Sequence, residues 1–120
     1  MRESGEMYLE TILILYNRRG YVRSIDVAEE MQLSRPSVSR GMAKLRENGC
    51  ILMDASGMIT LTEKGREIAE KIYERHRVLS ALFIRLGVDE KTATEDACRI
   101  EHVISDKTFS AIKTNMDGSL

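Results

Sequence analysis

A chain of 120 residues, 42% hydrophobic and 31% charged, with one proline and no tryptophan, suits one or two small packed units that are soluble and helix-rich. That profile excludes a disordered chain, and a net charge of −1 gives no bulk attraction to nucleic acid or to an acidic surface. No apolar run reaches the length of a bilayer span, and Met1-Arg2-Glu3-Ser4-Gly5-Glu6 lacks the basic-then-apolar order of a signal peptide. The expectation is a cytoplasmic protein with no membrane partner. Its two cysteines, Cys50 and Cys98, are then free thiols or metal ligands in preference to a disulfide.

In chain order, residues 6–18 predict a first helix, with Met7, Leu9, Ile12, Leu13, Ile14 and Leu15 as a broad apolar face and Gly20 at its end. Ser24 is placed to cap a second helix, Ile25 to Met31. Leu33 falls in a turn, and Ser34 caps a third helix with Pro36 in its first turn, where a missing N–H costs little. Val38, Met42 and Leu45 give that helix an inward stripe, and Asn48-Gly49 closes it. Two short apolar runs follow, Cys50-Ile51-Leu52-Met53 and Met58-Ile59-Thr60-Leu61, around the polar loop Asp54-Ala55-Ser56-Gly57. They predict a β-hairpin. A helix-turn-helix followed by a hairpin is a winged helix.

Thr62-Glu63-Lys64-Gly65 opens a long helix to about Leu86, with Ile68, Ile72, Val78, Leu79, Leu82, Phe83 and Leu86 along one side. Gly87-Val88-Asp89 is a break, residues 90–104 form a further helix, and Ser105-Asp106 caps a short last helix, Lys107 to Lys113. The tail from Asn115 is expected to fray. The fold class is mainly α with a small β-hairpin: a winged helix-turn-helix over residues 1–70 and a helical unit over residues 71–120.

Two groups of residues carry chemistry. Arg35, Arg40, Lys44 and Arg46 lie in residues 35–46 without an acid, a basic stripe suited to phosphates. With Ser34, Pro36, Ser37 and Ser39 they make the start of the third helix the expected DNA-reading face. A solvated polar face is the equal alternative from the residues alone. Cys98, Glu101 and His102 stand at i, i+3 and i+4, which on a helix places a thiolate, a carboxylate and an imidazole together. With His76 they offer a mixed N, S and O set that suits a first-row transition metal better than Ca²⁺ or Mg²⁺. The plainer alternative is a core cysteine beside a solvated Glu/His pair. By themselves Met7 reads as core and Glu10 as a solvated acid.

The chain resembles the metal-dependent repressors of the diphtheria toxin repressor and manganese transport regulator family. The resemblance runs through Glu6-Met7-Tyr8-Leu9-Glu10, Val27 to Leu45, Leu61-Thr62-Glu63-Lys64-Gly65, Arg75-His76-Arg77, Gly87-Val88-Asp89 and Ala97 to Asp106. It implies a homodimer that binds double-stranded operator DNA through its winged helix, with a helical metal-binding and dimerisation domain behind. It also implies the metal ligands Met7, Glu10, His76, Cys98, Glu101 and His102. Iron-type members have Met and Cys where this chain has Met7 and Cys98, and manganese-type members have Asp and Glu. The ligands thus resemble the iron type, while an end at Leu120 implies the short form without a C-terminal barrel domain. The partners that some members use for a second metal beside His76 fall on Ser80 and Thr94, neither a strong ligand.

The resulting expectation is a metal-activated repressor of metal-uptake genes that binds a palindromic operator, with Fe²⁺ favoured by the thioether and thiolate and Mn²⁺ as the alternative. Metal-independent winged-helix DNA binding is the first rival. A small zinc hydrolase is the second, disfavoured because no Gly-rich substrate loop and no extra base accompany the Cys/Glu/His face. No enzyme activity and no small-molecule substrate are expected.

Overall fold

The computed structural model describes residues 3–118. It consists of α1 (Glu3–Arg19), α2 (Ser24–Met31), α3 (Arg35–Glu47), β1 (Ile51–Met53), β2 (Ile59–Leu61), α4 (Glu63–Arg85), α5 (Glu90–Ile100) and α6 (Asp106–Gly118). The chain divides into two compact units, residues 1–70 and 71–120. No helix among the described residues is long and apolar enough to cross a membrane.

In the first unit, Leu9, Ile12, Leu13 and Leu15 of α1 are buried, as are Val27 and Ala28 of α2 and Val38, Met42 and Leu45 of α3. Met7 and Ile14 are only half-buried. Helix α1 begins three residues earlier than the expected residue 6, with Glu3 and Glu6 in its first turn, where carboxylates meet the positive end of the helix dipole. Arg23, not Ser24, is the N-cap of α2. The Asp26 carboxylate accepts the Arg23 N–H at 2.8 Å, and Arg23 O accepts Asp26 and Val27 N–H, so the helix start is closed without the serine hydroxyl.

Helix α2 ends with Gln32 in the left-handed region at φ 55°, where Leu33 N–H reaches Ala28 O at 3.0 Å. This short C-terminal cap sets the turn of the helix-turn-helix. A side chain at that φ costs about 1 kcal/mol relative to glycine. Gln32→Gly is therefore expected to raise stability by roughly 0.5–1 kcal/mol, read as an upward shift of the chemical-denaturation midpoint with an unchanged slope.

Ser34 caps α3: its Oγ accepts Ser37 N–H at 3.3 Å, with Pro36 in the first turn. At the other end Gly49, at φ 73°, lets Cys50 N–H bond to Leu45 O at 2.9 Å and turns the chain into the hairpin. Strands β1 and β2 are antiparallel, with Ile51 opposite Leu61, Leu52 opposite Thr60 and Met53 opposite Ile59. Period-two alternation puts Ile51 and Ile59 inside and leaves Leu52 exposed. Asp54 organises the hairpin loop by accepting from Ser56 Oγ, Ser56 N–H and Met58 N–H. These bonds, that from the Ser56 hydroxyl first, hold its carboxyl below the usual range.

The hairpin is joined to α4 by a dense knot. Thr62 N–H donates to Cys50 O, Thr62 Oγ1 donates to Gly49 O at 2.6 Å and accepts Gly65 N–H, and Lys64 Nζ donates to Asn48 O. A Cβ on Gly65 would stand 2.0 Å from Cys50 O, so this position admits only glycine without backbone movement.

In the second unit, Ile72 and Leu79 of α4 and Ala93 and Ala97 of α5 are buried. Leu86, expected on the buried side of α4, is exposed. Helix α4 stops at Arg85, and Gly87 at φ 104° lets Val88 N–H reach back to Phe83 O, which turns Leu86 outward. Asp89 caps α5 by accepting Thr92 N–H at 3.0 Å, and hydrogen bonding from the Thr92 main chain holds its carboxyl below the usual range. Two helical expectations change. The helix predicted over 90–104 ends at Ile100, and the last helix runs from Asp106 to Gly118 instead of stopping at Lys113. Residues 115–118, expected to fray, are thus helical. Residues 119 and 120 lie outside the described residues.

Candidate metal centre

The residues expected to bind metal in the second unit come from α4 and from the turn after α5. His76 lies on α4, one residue after the buried Arg75, and Cys98 lies in the last turn of α5 and is half-buried. Glu101 and His102 lie past the helix end, in the turn that joins α5 to α6. Glu101 still has a helical backbone, and its N–H bonds to Ala97 O. The local i, i+3, i+4 relation therefore survives, although the regular helix does not reach His102.

The Glu101 side chain is fully buried, and so is that of His102. Glu101 Oε2 lies 2.8 Å from His76 Nδ1, and Glu101 Oε1 lies 3.3 Å from His102 Nε2. A His76 tautomer protonated at Nδ1 donates to the carboxylate and keeps a lone pair on Nε2. Glu101 Oε1 has no hydrogen-bond partner among the described residues. A buried carboxylate oxygen without a donor is costly, and it is found where something else supplies the compensating charge. Two imidazoles converging on one buried carboxylate form a donor set that fits a divalent transition ion. The structure brings His76, Glu101 and His102 together.

In the first unit, Met7 is half-buried and Glu10 is buried, both on α1. Glu10 is thus not the solvated acid that its sequence position alone suggested. Met7 O accepts Thr11 Oγ1 within the helix.

The expected DNA face lies at the start of α3. Ser34, Arg35, Pro36, Ser39, Arg40 and Lys44 are exposed, and Ser37 is half-buried. Ser34 and Ser37 already serve each other: their hydroxyls are 2.9 Å apart, and Arg40 Nη2 donates to Ser37 Oγ at 3.3 Å. Ser34 is therefore committed to capping, while Arg35, Ser39 and Lys44 remain the outward groups on this face.

Sequence reading missed Arg75 and Asp106 as parts of the centre's frame. Arg75 donates to Glu101 O, Ile104 O and Asp106 Oδ1, and Lys71 Nζ also meets Asp106 at 3.0 Å. Lys71 first, then Arg75, hold the Asp106 carboxyl below the usual range. No local spacing reveals this link, because Arg75 and Asp106 are 31 residues apart.

Residues 1–54 match the family described as iron dependent repressor, N-terminal DNA binding domain, and residues 62–118 match its metal binding and dimerisation domain. The chain belongs to the iron dependent repressor family. It is thereby a member of a family of metal-dependent, DNA-binding transcriptional repressors. Among relatives, it is 34% identical over 119 residues to an uncharacterized HTH-type transcriptional regulator, MJ0568 of Methanocaldococcus jannaschii, covering 98% of this chain and 95% of the relative. It is 32% identical over 102 residues to the HTH-type transcriptional regulator MntR of Lysinibacillus sphaericus, covering 85% and 73%. Among solved structures, it is similar to the manganese regulator SloR with a TM-score of 0.84 and 28% identity, over 94% of this chain. The chain spans about half of that structure, 53% of its length. Membership supports the winged-helix fold class, and it favours a regulator over the hydrolase rival.

Proposed function

We propose that this family member is a metal-activated repressor that binds a palindromic operator as a homodimer in the cytoplasm and controls metal-uptake genes. The observation that carries the metal reading is the buried Glu101 carboxylate, held between His76 and His102 with one oxygen lacking a donor. Met7, Glu10, His76, Cys98, Glu101 and His102 are the proposed ligands. Arg35, Pro36, Ser37, Ser39, Arg40 and Lys44, with Ser34 as their cap, are the proposed DNA-facing residues. The protein acts by binding and not as an enzyme.

A bound divalent ion supplies the positive charge that the buried carboxylate lacks. His76, Cys98, Glu101 and His102 would hold it from the second unit, and Met7 and Glu10 are the ligands proposed from α1. An ion that takes ligands from both units favours whichever conformation satisfies all of them, and in this proposal that conformation is the one that binds DNA. A homodimer then presents its two recognition helices about 34 Å apart, one turn of DNA, which is why the operator is palindromic. The thioether of Met7 and the thiolate of Cys98 favour Fe²⁺, with Mn²⁺ as the alternative supported by the likeness to the manganese regulator SloR.

The test is fluorescence anisotropy on operator-length DNA, with metal-free protein titrated separately with Fe²⁺ under anaerobic conditions, Mn²⁺ and Zn²⁺. Binding is expected to rise only with metal, and Cys98→Ala is expected to remove at least about 10-fold of the Fe²⁺-driven rise while sparing more of the Mn²⁺-driven one. Affinity that is indifferent to metal and to chelator overturns the proposal in favour of constitutive DNA binding.

A further inference from the structure

We propose that Arg75 is the positioning residue of the metal centre, templating the turn that carries Glu101 and His102 before any metal arrives. The inference rests on the metal reading above and deepens it.

Helix α5 ends at Ile100 and α6 begins at Asp106, so the five residues between them, two of them proposed ligands, form a turn whose main-chain ties to α5 are the bonds from Glu101, Val103 and Ile104 N–H. Glu101 N–H to Ala97 O, and Val103 and Ile104 N–H to Ile100 O, close the end of α5, whereas the carbonyls of the turn itself need other donors. Arg75 supplies two of them. It is buried, and its Nη1 donates to Glu101 O at 3.2 Å and to Ile104 O at 2.7 Å while Nη2 pairs with Asp106 Oδ1. One planar fork thus fastens both ends of the turn and the first residue of α6. Its positive charge also sits favourably at the carboxyl end of α5. Lys71, one turn earlier on α4, adds a second cation to Asp106 at 3.0 Å.

Glu101 is consequently held twice by consecutive residues of α4. Arg75 takes its main-chain oxygen and His76 takes its carboxylate. Among the described residues Arg75 Nε is buried without a partner, so the guanidinium is placed for the turn at the expense of its own full hydrogen bonding. Lysine keeps the charge but offers a point donor in place of a rigid fork, and it cannot reproduce three divergent bonds.

The test uses the full chain with Co²⁺ as the probe, titrated anaerobically and followed by the visible d–d bands and the thiolate charge-transfer band. Arg75→Lys is expected to weaken Co²⁺ binding about 10–100-fold and to shift the d–d bands, the size of effect seen when groups that orient ligands are lost. Asp106→Asn leaves both carbonyl bonds in place, so it is expected to weaken binding less than Arg75→Lys, and it serves as the reporting variant if Arg75→Lys fails to fold. Arg75→Lys protein with wild-type Co²⁺ affinity and spectrum overturns the proposal, even if its melting temperature falls. So does Asp106→Asn protein with wild-type Co²⁺ affinity when Arg75→Lys cannot be obtained. Wild-type protein that binds no Co²⁺ at all sinks the metal-centre reading itself, a result distinct from either.

Discussion

Glu101→Gln is expected to weaken divalent-metal binding by about 100-fold, the upper end of what loss of a ligand-orienting group costs, and to abolish the metal dependence of DNA binding. The same substitution is expected to leave the metal-free protein as stable as before or more so. Glu101 is a fully buried carboxylate with one oxygen lacking a donor, and taking a charge out of water costs several kcal/mol that two imidazole neighbours offset only in part. Gln has the same shape without the charge. The two readouts therefore move in opposite directions, metal affinity down and apo melting temperature level or up. An ordinary structural carboxylate gives the reverse pattern: lower apo stability and intact metal activation. Isothermal titration with Mn²⁺ and thermal melts in chelator decide between them.

Gly65→Ala is expected to be the most destabilising small substitution in the first unit. The added Cβ would stand 2.0 Å from Cys50 O, a main-chain atom that Thr62 N–H also engages and that cannot rotate away. Relieving the clash means moving the start of α4 away from the hairpin and stretching the bonds from Thr62 and Lys64 to Gly49 and Asn48. Overpacking of this kind costs about 3 kcal/mol, which for a chain of this size lowers the melting temperature by about 10 °C. Circular dichroism melts measure it. A drop of less than about 2 °C shows that the hairpin-to-helix junction yields easily, against the fixed contact described above.

The wing lies on the chain between α3, which bears the proposed DNA face, and α4, which continues into the second unit and bears His76.

Much of the fold was legible because its signals are local. The stripe Val38, Met42 and Leu45 is buried as its spacing required, Ser34 caps α3, and the alternating runs around Asp54-Ala55-Ser56-Gly57 pair as a hairpin. The errors fell where a second signal, local or distant, competes with the first. Ser24 looked like a cap, but Asp26 supplied a stronger acceptor to Arg23. The apolar spacing carried the predicted fifth helix to residue 104, whereas the chain turns from Glu101 and a guanidinium from another helix takes the carbonyls of Glu101 and Ile104 in that turn. Leu86 fits the stripe of α4 by spacing, but the left-handed Gly87 just beyond it turns it to solvent.

For the candidate site, the types and spacing of Cys98, Glu101 and His102 sufficed to nominate metal chemistry, because ligand preference is a property of the side chains themselves. Sequence could not say that Glu101 is buried to the last atom, that its carboxylate lies between His76 and His102, or that Arg75 and Asp106 hold the turn in which it sits. Helix periodicity, caps and turns are determined within a few residues and are written in the sequence by itself. Burial, the pairing of a carboxylate with an imidazole 25 residues away and the fastening of a turn by a distant arginine depend on which segments pack together, and only the tertiary structure decides that.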